Sequence, residues 1–129
     1  MKKAFVGILW TLMMALLLCA CQKEVVLNIE ETGKALAEEG VFDDDLTEVA
    51  DEIFVMNYQA ASSEDVVDSV LYMSSGATAE EIAVIECKDA AAAKNVKKVV
   101  EDRVEYLTES FRNYVPEELT KLENPVLMQ

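Results

Sequence analysis

Histidine is absent from all 129 residues. That absence removes the commonest general base, the Ser-His and Cys-His nucleophile pairs and the usual zinc ligands together, so most hydrolase templates fail. Basic side chains are few, 11 lysines and arginines against 25 aspartates and glutamates, and they gather into no basic patch. A surface of that charge repels nucleic-acid phosphates and anionic lipid headgroups, which excludes nucleic acid as a partner. Acidity serves solubility in a polyanionic envelope without further assumption. Glycine and serine form no long flexible stalk, and there is neither an internal repeat nor a low-complexity tract. The carboxylates Asp43, Asp44, Asp45 and Glu48 lack the D-x-[DN]-x-[DN]-G spacing of a calcium loop, so they read as a solvated loop. No metal and no cofactor is expected.

The amino terminus reads MKKAFVGILWTLMMALLLCAC, with a positive start at Lys2 and Lys3, an apolar run from Ala4 and small residues at its end. That is the layout of a secretory signal. Leu18-Cys19-Ala20-Cys21 resembles the bacterial lipobox, in which an aliphatic residue and two small ones precede a cysteine that is alkylated by diacylglycerol and becomes the new N-terminus. The resemblance implies a signal peptide over 1–20, lipidation of Cys21 and a position on the outer face of the bacterial cytoplasmic membrane. An uncleaved spanning helix is the alternative, because the run is long enough to cross a bilayer. Two acyl chains on one cysteine supply the stable anchoring that a single chain does not.

The leader holds two of the eleven basic residues and none of the acidic ones, so the rest of the chain carries a formal charge of −16. With Cys19 lost and Cys21 lipidated, Cys87 is the one remaining thiol, and no internal disulfide is expected. Residues 21–28 form the lipidated cysteine and a short tether, and 29–129 suffice for a single small α+β domain with one modest core.

Asn28, followed three residues later by Glu31, predicts a capped helix over about 29–39 that Gly40 stops. Leu46 to Tyr58 is ambiguous, with a lean to helix, because Ile53, Phe54, Val55 and Met56 are consecutive apolar residues. Val66 to Met73 and Glu81 to Cys87 are β-prone runs around a turn-rich segment, a hairpin over about 66–87. Asp89 then suits the N-cap of a long helix over about 90–113, striped by Val96, Val100, Arg103, Leu107, Phe111 and Tyr114. Pro116 breaks it and restarts a short turn. Val126-Leu127-Met128 has the look of a further, third strand, and a hairpin beneath one helix needs one.

The stretches Ala79-Glu80-Glu81-Ile82-Ala83-Val84-Ile85 and Arg103 to Glu117 resemble small lipoproteins of Gram-positive, clostridia-like bacteria in the domain of unknown function 4358 family. The shared pattern is a lipobox, a strand opening Glu-Ile-Ala, and a long helix whose later part carries Arg, then Phe and Tyr, then Pro. The likeness covers most of residues 28–125. Members of that family run on into a further strand and a closing helix, so the resemblance implies a domain incomplete at Gln129. For function it implies a surface lipoprotein and nothing more.

Few residues invite chemistry. Cys87 ends an apolar strand with Lys88 as its sole obvious activator, which suits a small buried hydrophobe better than a reactive thiol. Glu80 and Glu81 are neighbours on a strand and point to opposite faces, so they cannot jointly flank one bond as an acid/base pair. Arg103 lies on the apolar stripe of the long helix and must snorkel or find a carboxylate. Glu81 is the candidate partner in a structural ion pair, with an anion-binding arginine at a cleft as the alternative. Tyr106, Phe111 and Tyr114 at helical spacing read as core and core edge. The expectation is a non-catalytic, membrane-anchored interaction module with an unknown protein partner; the alternative is a solute-capturing lipoprotein serving a membrane transporter. A concave polar pocket beside Arg103 would favour the solute.

Overall fold

A computed structural model describes residues 26–129. The leader expected over 1–20 and the lipid site expected at Cys21 lie outside the described residues. In chain order the elements are α1 (Ile29–Ala37), β1 (Thr47–Glu48), α2 (Asp51–Asn57), β2 (Val66–Met73), β3 (Glu81–Cys87), α3 (Ala90–Arg112), a 3-10 turn (Pro116–Glu118) and α4 (Leu119–Leu122). The fold is α+β, a three-stranded antiparallel sheet in the order β1-β2-β3 with helices on both faces.

Strand alternation divides β2 between two cores, because successive side chains point to opposite faces. Val70 and Tyr72 face α1, where they pack on Ile29 with Ile82 and Val84 of β3. Leu71, the largest fully buried side chain, faces the other way, onto Phe54 and Tyr58 beside Val99 and Val100 of α3. Cross-strand partners share a face: Leu71 lies opposite Ala83 and Tyr72 opposite Ile82. A bulge between Val66 and Asp68 interrupts this register at the start of β2.

The two best-signalled helices start at their side-chain caps. Asn28 Oδ1 accepts the Glu31 amide at 2.9 Å, and Asp89 Oδ1 accepts the Ala92 amide at 2.8 Å. Each bond satisfies one of the amides that a first helical turn leaves unpaired. α1 ends at Ala37, two residues before the expected limit, because Glu38 already serves as C-cap and Gly40 leaves the helix with φ +70.

Two expectations need correcting. The third strand is β1, paired Thr47 with Met73 and Glu48 with Tyr72, and not Val126-Leu127-Met128, which joins no ladder. The segment from Leu46 that leaned to helix is therefore strand first and helix only from Asp51. β2 offers its free edge to whichever segment returns past it, and that is the chain leaving the Asp43–Asp45 loop.

Candidate functional site

Glu81 opens β3 and Glu80 immediately precedes it, and each builds a separate cluster. Glu81, facing α3, meets Arg103 in a two-point pair: Nη2 donates to Oε2 at 2.6 Å and Nε to Oε1 at 3.2 Å. Tyr58, at the end of α2, donates its hydroxyl to the same Oε1 at 2.6 Å. Arg103 is 7% exposed, and its guanidinium lies 5.4 Å from the Tyr106 ring centre and 6.0 Å from that of Tyr58. Burial pushes the Tyr58 hydroxyl far above its usual range, and the Glu81 charge adds to the shift, so it remains a donor at any physiological pH. Burial opposes the Arg103 charge, but the Glu81 carboxylate outweighs that and holds it fully protonated. The pair bridges α2, β3 and α3.

Glu80 points away from Arg103 and, with its side chain only 8% exposed, collects four donors. The amides of Asp43 and Asp44 reach it at 3.0 Å, the Thr78 hydroxyl at 3.0 Å, and Lys121 Nζ of α4 at 3.0 Å. Lys121 also meets Asp43 at 2.7 Å and Glu118 at 3.0 Å, while Glu118 takes the Ala79 amide at 2.9 Å. Burial resists the Glu80 charge, yet these hydrogen bonds together hold its carboxyl below the usual carboxylate range. Burial likewise opposes the Lys121 charge, but the three carboxylates raise it well above an ordinary lysine. One ammonium thus bridges three carboxylates.

The acidic loop is exposed at Asp43, Asp45 and Glu48, and Asp44 ties it to the hairpin turn. Asp44 accepts both the amide and the hydroxyl of Ser75, at 2.9 and 2.6 Å, and the Ser75 hydroxyl is the main reason its carboxyl is lowered. Glu48 accepts the Tyr72 hydroxyl at 3.0 Å. Cys87 is half-buried, and burial with nearby Asp65 and Asp89 pushes its thiol up, away from nucleophilic use. Of the three aromatics expected along the long helix only Phe111 is core; Tyr106 and Tyr114 are exposed. Tyr106 lies instead over the arginine, and Tyr114, past the helix end, tilts against Phe111 at 5.9 Å between ring centres.

Tyr58 and Lys121 carried no sequence signal that singled them out. A tyrosine closing an apolar run and a lysine in a short charged segment are ordinary locally, and only the fold brings them to Glu81 and Glu80. Among the described residues, grooves open on the surface, two of them beside the sheet. One, of 460 Å³, runs between β3 and α3 past Cys87 and the carboxy-terminal residues; the other, of 310 Å³, lies between α2 and the start of β2. Neither is lined by Glu81 or Arg103.

Residues 41–129 match the family model described as Domain of unknown function (DUF4358). The chain belongs to this family. The DUF4358 match takes in both clusters, with Tyr58, Glu81 and Arg103 in one and Asp43, Glu80, Glu118 and Lys121 in the other, and it begins after α1. No curated protein and no solved structure matches the chain.

Proposed function

We propose that this DUF4358 protein is a lipid-anchored interaction module without catalytic activity, held at the outer face of the bacterial cytoplasmic membrane through Cys21. The observation that carries the reading is Leu18-Cys19-Ala20-Cys21, behind an apolar leader flanked by Lys2 and Lys3. Among the described residues no helix is long and apolar enough to cross a membrane. The interaction role draws support from Arg103, which spends its fork on Glu81 and lines neither groove. A solute site would need convergent polar groups in a concave pocket. The absence of histidine and the raised Cys87 thiol support a role without catalysis.

Cys21→Ser tests the anchor in cells fed an alkyne-bearing fatty acid. The expected result is loss of label together with an unprocessed or released chain. An unchanged mature mass and an unchanged membrane fraction in the variant would overturn the lipoprotein reading. A photo-crosslinking residue placed in turn at Val55, Val67, Tyr106 and Tyr114 tests the module in intact cells, and absence of any protein adduct at all four overturns it.

A further inference from the structure

β1 covers only the end of β2. Its ladder stops at Glu48 with Tyr72, extended by one bond from the Val49 amide to the Leu71 carbonyl. Residues 66–70 of β2 therefore have no strand beside them on that side among the described residues. An unpaired edge is a template for another chain. The Ser69 amide shows the consequence, since it donates not to a ladder carbonyl but to the Asp68 side chain at 2.8 Å. A carboxylate stands in for the missing strand.

Beside this edge lies the 310 Å³ groove, floored by Phe54 and Ala61 and walled by Val55 and Val67, which are 63% and 62% exposed. Asp51 and Asp68 stand on its rim, and no basic residue lines it. Nor could one nearby in sequence, because the chain holds no lysine or arginine between Lys34 and Lys88. The basic side chains that reach back to this stretch go elsewhere: Lys88 to Asp65, Arg103 to Glu81 and Lys121 to Asp43 and Glu80. A second copy of this chain would bring the same acidic rim to the contact, which like charges disfavour.

We propose that the groove between α2 and the open edge of β2 docks an extended segment of a partner protein in which apolar side chains alternate with lysine or arginine. The segment adds to β2 as a strand, main chain to main chain, as peptides do on exposed sheet edges. Its carbonyl takes the Ser69 amide, and the displaced Asp68 carboxylate turns to a basic side chain of the segment. Its apolar side chains cover Val55 and Val67, while Asp51 meets a second basic group. The proposal rests on the interaction-module reading and names the partner's chemistry.

The test uses the full chain in detergent micelles and a fluorescent peptide of alternating lysine and valine, with binding read by anisotropy at moderate salt. Two probes of equal length serve beside it, lysine alternating with proline and glutamate alternating with valine. Proline keeps the charge but removes main-chain donors. The expected order is strong binding of the lysine-valine peptide, about tenfold weaker binding of the lysine-proline peptide and none of the acidic one. Asp51→Lys with Asp68→Lys weakens the first peptide about tenfold, whereas Glu101→Lys with Glu105→Lys, the same charge change on α3, weakens it less than about twofold. Equal losses in the two double variants, equal binding of the proline peptide, or no binding of the lysine-valine peptide would each overturn the proposal. The module reading fails separately, on absence of crosslinks in cells at every position probed.

Discussion

Glu81 takes three donors from two helices, and the loss of any one leaves the others differently exposed. Arg103→Ala strands a buried carboxylate and Glu81→Ala a buried guanidinium, so each should lower stability by about 3 to 5 kcal/mol. The double variant should lose clearly less than the sum, because the second deletion removes a charge already uncompensated. Chemical denaturation of the four proteins measures this, and an additive cycle would refute the coupling. Tyr58→Phe keeps the ring stacked on Phe54, 4.9 Å between centres, and deletes one hydroxyl donor, so it should cost about 1 to 2 kcal/mol. Arg103 was legible as a residue in need of a carboxylate because it broke an apolar stripe. Glu81 was its candidate partner, although strand alternation says only that Glu80 and Glu81 face opposite ways. Tyr58 was not legible, since the turn that follows α2 has no periodicity to say which way its last side chain points.

Among the elements, α1 and α3 announced themselves at their caps and the hairpin by its two β-prone runs, all local signals. β1 gave none. Two residues cannot display an alternation, and Thr47 and Glu48 are strand only through partners about 25 positions away in sequence. α1 depends on a similarly distant match at Gly33, where an added methyl would sit 2.5 Å from Val70 Cγ1 and 3.0 Å from Tyr72 Cε2. Gly33→Ala ought to help an isolated helix by up to about 1 kcal/mol, but here the crowding dominates and a net loss of about 1 to 3 kcal/mol is expected in thermal melts. A stabilised variant would mean that α1 does not lie so close to the sheet.

The Lys121 cluster ties α4 to the 43–45 loop and the hairpin turn, and its pH dependence has a definite sign. Glu80 is lowered in the folded state, so its contribution is present above the unfolded carboxylate range near 4 and fades as pH falls through the folded value. Lys121 is raised, so its contribution is complete below the unfolded lysine value near 10 and is lost only as pH climbs through the folded one. Docking of α4 should hold from about pH 5 to about 10. Lys121→Met should cost about 1 to 3 kcal/mol at neutral pH, since Glu80 and Glu118 lose their shared counter-charge while the exposed Asp43 loses little. Amide exchange along 116–122 reports it, and unchanged protection there would show that apolar contacts alone hold α4.

At the scale of the whole molecule, 25 acidic groups face 11 basic ones, and the imbalance exceeds what the ion pairs can absorb. Like charges crowded on a small domain repel one another in the compact state, a cost that salt reduces once the screening length falls from about 30 Å at 0.01 M to about 8 Å at 0.15 M. Salt also weakens the exposed pairs Lys34 with Glu38 and Arg112 with Glu109, but each is worth only about 0 to 1 kcal/mol. The buried Glu81 and Arg103 pair is screened far less. Repulsion is therefore the larger of the salt-sensitive effects, and the melting temperature should rise with sodium chloride, most of the gain arriving by about 0.15 M. Lys121→Met deletes one positive charge from the centre of three carboxylates, so its gain with salt should exceed that of the natural chain. A melting temperature that falls as salt is added, in either protein, would show that surface ion pairing outweighs the net charge.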